Sequence, residues 1–149
     1  MIALIQRVSR AQVDVGGETI AAIARGILVF VAVERGDGEA QLHRLWARVC
    51  GYRVFADARG RMNLNVIETD GEILLVPQFT LAADTDRGLR PSFSRAAPAE
   101  LGRMLYGQFV TLARRALPGR VASGRFGADM QVQLTNDGPV TFWLRTAPG

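Results

Sequence analysis

Apolar positions in this chain recur with two periods, and the switches between them mark out the elements. Residues 2–8 (IALIQRV) read as a strand, and 11–15 and 19–23 flank Gly16-Gly17 as a predicted hairpin. The continuous apolar run 27–33 (ILVFVAV) is of the kind found in a strand covered on both faces. From Gly38 the period lengthens. Leu42, Leu45, Trp46, Val49 and Cys50 follow the i, i+3, i+4, i+7, i+8 spacing of one buried helical face, with Asp37 placed to cap the helix. Residues 53–55 are extended again, 57–61 (DARGR) form a turn, and 72–81 are the next apolar strand, interrupted by Pro77. After a long loop, 82–97, Pro98 suits the first turn of a second helix whose stripe is Leu101, Met104, Leu105, Phe109, Leu112 and Ala116. Pro118-Gly119 ends it, and three strands follow near 121–125, 130–134 and 140–145. The fold class this predicts is α/β or α+β: a mixed β-sheet or partial barrel with two packed α-helices, as a single domain over 1–149.

One turn signal contradicts itself. In LTNDGPVTFWL, residues 134–144, Asp137-Gly138 has the composition of a tight hairpin between two apolar strands. Such a turn closes with an N–H from the residue after the glycine, which here is Pro139 and has none. An ordinary hairpin does not account for this stretch.

Composition narrows the chemistry. No run approaches the roughly 18 apolar residues a membrane-spanning helix needs, and MIALIQRVSR lacks the basic lead of a secretory signal. A single cysteine, Cys50, excludes an internal disulfide and a multi-cysteine metal site, so the cytoplasm is the expected compartment. The net charge is +4 and all 18 basic residues are arginine. Arginine-rich coding explains that, and so does a phosphate-bearing partner, since arginine forks match phosphate. The absence of lysine is more decisive: it removes Schiff-base chemistry and a Walker-type phosphate loop. With one histidine, a histidine-based metal cluster is also out.

Few reactive candidates remain. His43 and Cys50 share a helix face, but seven residues place their Cα atoms about 10 Å apart, too far for a nucleophile and its base. Ser9, Ser92, Ser94 and Ser123 lack a G-x-S-x-G elbow. Asp84 and Asp86 lack the carboxylate count and glycine of a calcium loop. Two stretches stay unexplained. One is 76–94 (VPQFTLAADTDRGLRPSFS), an apolar strand that ends in Gln78 and Thr80 and runs into a basic loop, the kind of place where sites are built. The other is 134–144. Neither supplies a general base, so residue chemistry alone leaves open a binding module or an enzyme that borrows its base.

Those two stretches carry a family resemblance. Gln78-Phe79-Thr80-Leu81-Ala82-Ala83-Asp84 and Asn136-Asp137-Gly138-Pro139-Val140-Thr141 resemble the paired signatures of D-aminoacyl-tRNA deacylases. The similarity extends through IQRVSRAQV at 5–13, GYRVFAD at 51–57, MNLNV at 62–66 and RPSFS at 90–94, collinear over essentially the whole chain. It implies a homodimer whose active sites each receive Gly138-Pro139, with a cis bond, from the other subunit as a chirality filter braced by Arg7. The implied substrate is a D-amino acid esterified to the 3′ end of tRNA, with achiral glycyl-tRNA also cleaved. The implied site has backbone N–H groups at Phe79 and Thr80 facing an oxyanion, Gln78 orienting the substrate, and Thr80 positioning water. Phe126 and Met130, in GRFGADM, resemble the wall that receives the terminal adenosine. The resemblance also implies that the terminal ribose 2′-hydroxyl assists the water, which would answer the missing base. Arginines of 87–95 track tRNA phosphates, and no cofactor, metal, membrane or DNA is implied.

Two positions depart from the family pattern. Pro77 stands where serine is usual, removing a hydroxyl and an N–H from the pocket edge, and Gly127 stands where alanine is usual. Three rival readings remain to be separated: an RNA-binding protein without catalysis, a paralogous editor with a trans Gly-Pro bond, and a metal-dependent or serine hydrolase.

Overall fold

The computed structural model describes residues 1–147, so the last two residues of the expected 1–149 unit lie outside the described part. In chain order the elements are β1 (Ile2–Val15), β2 (Glu18–Ile23), β3 (Gly26–Ala32), α1 (Glu39–Gly51), β4 (Phe55–Ala56) and β5 (Met62–Leu64). There follow β6 (Glu72–Pro77), a single 3-10 turn (Phe79–Ala82), α2 (Ala99–Ala116), β7 (Val121–Ser123) and β8 (Gln131–Arg145). The main sheet runs β2-β1-β3-β6-β7, with β8 on the other edge of β1.

β1 runs on through Ser9-Arg10, where β8 still pairs with Arg10 while the opposite edge passes from β3 to β2. β8 pairs antiparallel with it from Ile2 to Asp14. On the opposite edge β3 covers residues Ile2 to Val8 and β2 covers Ala11 to Val15. β6 then pairs parallel with β3, and β7 parallel with β6. A parallel partner needs a crossover, and the segment holding α1 supplies it. β2 also approaches β6 and β7, which curls the sheet toward a closed barrel. The mixed sheet with two packed helices is therefore as the apolar pattern predicts.

The continuous runs of β3 and β6 are explained by two apolar clusters, one on each face. Ile27, Val29 and Val31 join Ile73 and Leu75 beneath the helices, where Leu45 and Phe109 are fully buried. Leu28 faces the other way with Leu74 and Val76, packing on Val8 and Val13. Apart from Glu72 at the start of β6, neither strand carries a polar side chain.

Several expectations are corrected. The strand expected over 72–81 ends at Pro77 and gives way to the 3-10 turn. The strands expected near 130–134 and 140–145 are one element, β8. On α2 the buried face is Gly102, Leu105, Tyr106, Phe109, Val110 and Ala113, while Met104 is 52% exposed. Counting methionine as core and tyrosine as neutral turned the stripe by about one residue. No helix among the described residues is long and apolar enough to cross a membrane.

Asp37 does not cap α1. The helix begins at Gly38 without a side-chain cap, and Gln41 Oε1 accepts the Gly38 N–H at 3.0 Å. Asp37 turns inward, accepting from the Met1 ammonium at 2.7 Å and from the Glu34 N–H at 2.6 Å. Thr146 O accepts from the same ammonium at 3.2 Å, and Glu34 is gripped by Arg145 at 2.8 and 3.0 Å. A buried cation requires a carboxylate more urgently than a helix end requires a cap. Asp37→Ala is expected to cost about 3 kcal/mol of unfolding free energy in urea denaturation, because it takes away the closer of the cation's two carboxylates and leaves Glu34 at 3.6 Å. A loss comparable to a missing cap, about 1 kcal/mol, would refute the assignment.

Candidate functional site

β6 ends at Pro77, which pairs opposite Val31 at the far end of β3. A proline cannot donate onward along the ladder. The next residue, Gln78, donates its N–H to Val31 O at 2.7 Å and turns the chain into the 3-10 turn. The two strand ends open onto a cleft of about 630 Å³, lined by Val31, Pro77, Gln78 and Phe79 on one side and by Tyr106, Phe126 and Met130 on another. Its walls are mostly apolar side chains, with few polar groups directed into it.

The turn concentrates the polar groups. Gln78 Nε2 donates to Thr80 Oγ1 at 2.6 Å, which fixes the threonine hydroxyl and leaves its proton free to donate elsewhere. The first hydrogen bond inside the turn runs from Leu81 N to Gln78 O at 3.2 Å, and Ala83 N follows to Thr80 O. The N–H groups of Phe79 and Thr80 precede that first bond and have no acceptor within the turn. Two adjacent backbone donors thus lie in the turn, and Phe79 of the two lines the cleft. Phe79 is 57% exposed there, its ring centroid 5.1 Å from that of Phe93, which is 40% exposed.

The facing wall hangs on α2. Tyr106 donates its hydroxyl to Leu75 O at 2.9 Å and lies 2.8 Å from Ser123 Oγ. Burial pushes its pKa up to about 12, with Ser123 and Arg114 opposing, so the hydroxyl keeps its proton. Gly124 N also donates to Leu75 O, at 2.8 Å, which ties the 124–130 segment to the end of β6. The Phe126 ring lies against α2 where Gly102 leaves room, 6.2 Å from the Tyr106 ring and with the Arg103 guanidinium 4.9 Å above it. Sequence reasoning missed Tyr106, Ser123 and Phe93. A tyrosine within the apolar stripe of α2 was the available signal.

A second feature lies on β8. Gln6 pairs with Thr141 and Val8 with Asn136, so two steps along β1 face five along β8. The excess forms a bulge that holds Asp137, Gly138 and Pro139, with a cis Gly138-Pro139 bond. Asn136 closes the bulge from within: its Oδ1 accepts the Val140 N–H at 2.9 Å and its Nδ2 donates to Thr141 Oγ1 at 2.9 Å. A Cβ at residue 138 would lie 2.5 Å from Val140 N, so only glycine fits. Arg7 donates from Nε to Asp137 O and from Nη1 to Val54 O, both at 2.8 Å. Gly138 and Pro139 are exposed. They do not line the cleft of their own chain: Arg7 pairs with Ile27, four residues from Val31 where the cleft begins. The chain brings Gln78, Phe79, Phe126 and Met130 together around one cleft, with Thr80 tied to Gln78 beside it, and holds Arg7, Gly138 and Pro139 in another place.

The remaining candidates behave as their residue types suggest. Asp84 and Asp86 face Arg95 at 3.1 and 3.2 Å, so of the loop arginines only Arg87 and Arg90 are left without an ion pair among the described residues. No group of three metal-ligating side chains occurs among the described residues. Burial pushes the Cys50 thiol up to about 12 despite Arg120, and His43 stands on the exposed face of α1 near Glu39. They do not form a pair.

The profile of the family described as D-Tyr-tRNA(Tyr) deacylase matches residues 4–145. A protein named D-aminoacyl-tRNA deacylase from Cupriavidus metallidurans is 60% identical over 153 residues, covering 99% of this chain and 97% of the relative. A solved structure described as c-Myc DNA Unwinding Element Binding Protein superposes with a TM-score of 0.95 at 40% identity, covering 99% of each chain. Another, described as a probable eukaryotic D-amino acid tRNA deacylase, matches in fold with a TM-score of 0.85 at 18% identity, covering 97% of this chain and 98% of that one.

The hydrogen bond that holds α2 to the end of β6 carries a measurable share of stability. Tyr106→Phe is expected to lower the unfolding free energy by about 1 kcal/mol in denaturant titration, with the ring packing retained. An unchanged midpoint would show that the bond to Leu75 O is not made in solution.

Proposed function

The chain belongs to the D-Tyr-tRNA(Tyr) deacylase family, a hydrolase family, and we propose that its cleft hydrolyses the ester of D-aminoacyl-tRNA to free D-amino acid and tRNA. The observation that carries this reading is the turn at Gln78, Phe79 and Thr80: two free backbone donors and a fixed hydroxyl at an apolar cleft, with no basic side chain among its lining residues except arginine. Such a site suits an activated ester, which needs its developing oxyanion stabilised and its water placed. The N–H groups of Phe79 and Thr80 receive the oxyanion. Gln78 orients the substrate, and the Thr80 hydroxyl holds water rather than attacking. The terminal ribose 2′-hydroxyl supplies the assistance that no side chain offers. Phe126 and Met130 receive the terminal adenosine, and Arg87 and Arg90 follow the acceptor phosphates. The protein acts in the cytoplasm, where charged tRNA is found.

In this reading the protein works as a homodimer, and Gly138-Pro139 enters the cleft of the partner as the chirality filter. Its exposure, its bracing by Arg7 and Asn136, and its distance from the cleft of its own chain all support that placement. Rejecting L-esters about a thousandfold requires about 4 kcal/mol, which one steric conflict at the substrate Cα can supply. Exclusion by shape alone leaves glycyl-tRNA as a substrate. One comparison favours a second reading: the relative described as c-Myc DNA Unwinding Element Binding Protein suggests nucleic-acid binding as the function. Tight binding of tRNA or duplex DNA with no hydrolysis would favour it.

The deciding experiment uses matched D-, L- and glycyl-tRNA ending in adenosine or 2′-deoxyadenosine. Hydrolysis of the D- and glycyl-esters, with the L-ester about a thousandfold slower, is expected. The 2′-deoxy terminus should cost about a hundredfold or more, the scale of one lost acid-base group. Undiminished turnover of the deoxy substrate would overturn the borrowed base. Thr80→Ala is expected to lower kcat about 10- to 100-fold; a loss near 10⁶, as when a nucleophile is removed, would make Thr80 the nucleophile. Mixing Gly138→Ala with Thr80→Ala chains tests the cross-subunit arrangement. Random exchange should restore about a quarter of wild-type activity, since each mixed dimer regains one intact site. No recovery would place both features in one chain's site.

A further inference from the structure

Arg103 lies five residues into α2, and its guanidinium carbon sits 4.9 Å above the Phe126 ring. One of its terminal nitrogens is 3.4 Å from where a Cβ at Gly127 would lie. Gly102, Phe126 and Gly127 all line the cleft, so the cation is held at its lip. Among the described residues Arg7, Arg95, Arg120 and Arg145 form ion pairs, and Arg103 does not. Stacking uses the flat face of a guanidinium and leaves its in-plane N–H donors unspent. The result is an exposed fork with a fixed position, free donors and no anion of its own.

We propose that Arg103 binds the phosphodiester joining the terminal nucleoside to its 5′ neighbour. The inference rests on the reading that the cleft takes the terminal nucleoside of an acceptor end. A base against Phe126 places its own 5′-phosphate along the same wall, and that wall carries the Arg103 fork at its lip. The contact separates an RNA ester from a simple amino-acid ester, because only the RNA brings the phosphate. It also favours arginine over lysine at this position, since a lysine would keep the charge but lose the two-pronged geometry and the stack.

The test is binding of the unacylated trinucleotide 5′-CCA-3′ across a salt titration. Arg103→Gln is expected to weaken binding about 5- to 20-fold at low salt. It should also reduce the slope of log K against log salt by about 0.7, one single-strand phosphate contact. Arg103→Lys should keep most of that slope while losing part of the affinity. Arg115→Gln, in the last turn of the same helix, removes a charge about 18 Å away and should leave both unchanged. A purely structural role, bracing Phe126, would lower affinity and leave the slope intact, which overturns the proposal. So does the absence of measurable trinucleotide binding to the unmodified chain. An Arg103-dependent slope in a protein that hydrolyses no D-aminoacyl-tRNA would sink the proposed activity and leave the phosphate contact standing. Hydrolysis with an unaltered slope does the reverse.

Discussion

Strand β1 is hydrogen-bonded along both edges, and the placement of both candidate features follows from that. On one edge its register with β3 fixes where β3 stops, and through the parallel pairing of β3 with β6 it fixes Pro77 opposite Val31. The cleft begins at that level because the pairing of β3 with β6 ends there and the chain turns away after Gln78. On the other edge β8 is longer than its partner needs. Side-chain alternation forbids a slip by one residue, which would turn every buried position outward. The excess is therefore expelled as a bulge, and Asp137, Gly138 and Pro139 occupy it. Arg7 of β1 reaches across to hold that bulge at Asp137 O and the start of β4 at Val54 O.

The cleft is organised by backbone more than by side-chain chemistry. Its tyrosine is held protonated, the threonine beside it is tied to Gln78, and Asp84 and Asp86 of the following loop are occupied by Arg95. Fixed dipoles in an apolar surrounding cost no reorganisation as charge develops, so a small set of them is enough for an ester with a good leaving group. A strong base in the same place would gain little. It would also expose every bound ester, of either hand, to the same attack.

The extent to which sequence revealed this differs by element, for physical reasons. β3 and β6 were legible because both faces are covered, which leaves an uninterrupted apolar run. Asp37 was misread because capping preference is local, whereas its true partner, the Met1 ammonium, lies 36 residues away in sequence. The stripe of α2 was turned because Tyr106 buries its ring and satisfies its hydroxyl on Leu75 O, which no hydrophobicity count anticipates. The strands around 130–145 were split because the proline that forbids a hairpin is also compatible with a bulge. As for the site, residue types alone left binding and catalysis equally open; Gln78, Phe79 and Thr80 were singled out by family resemblance. The structure adds that Gln78 and Phe79 share a cleft with Phe126 and Met130, that Thr80 is tied to Gln78 beside it, and that Arg103 stands beside that wall.

The selection by shape proposed above makes a demand that can be set against the way the bulge is held. A wall discriminates between enantiomers only if yielding costs more than the discrimination required, here about 4 kcal/mol for a thousandfold preference. An exposed loop held by its own backbone would give way by the fraction of an ångström that relieves a methyl-sized clash. Residues 137–140 are instead held on three sides: by Arg7 at Asp137 O, by Asn136 at Val140 N, and by the close approach of Gly138 to Val140 that leaves no room for a Cβ. Arg7 is itself anchored on Val54, so the bulge cannot swing without dragging the connection after α1. This bracing is costly to assemble at a surface position and does nothing for the core. It makes sense where the segment must push against something, and that is the physical argument behind the proposal that Gly138-Pro139 meets a substrate in a second copy of the chain.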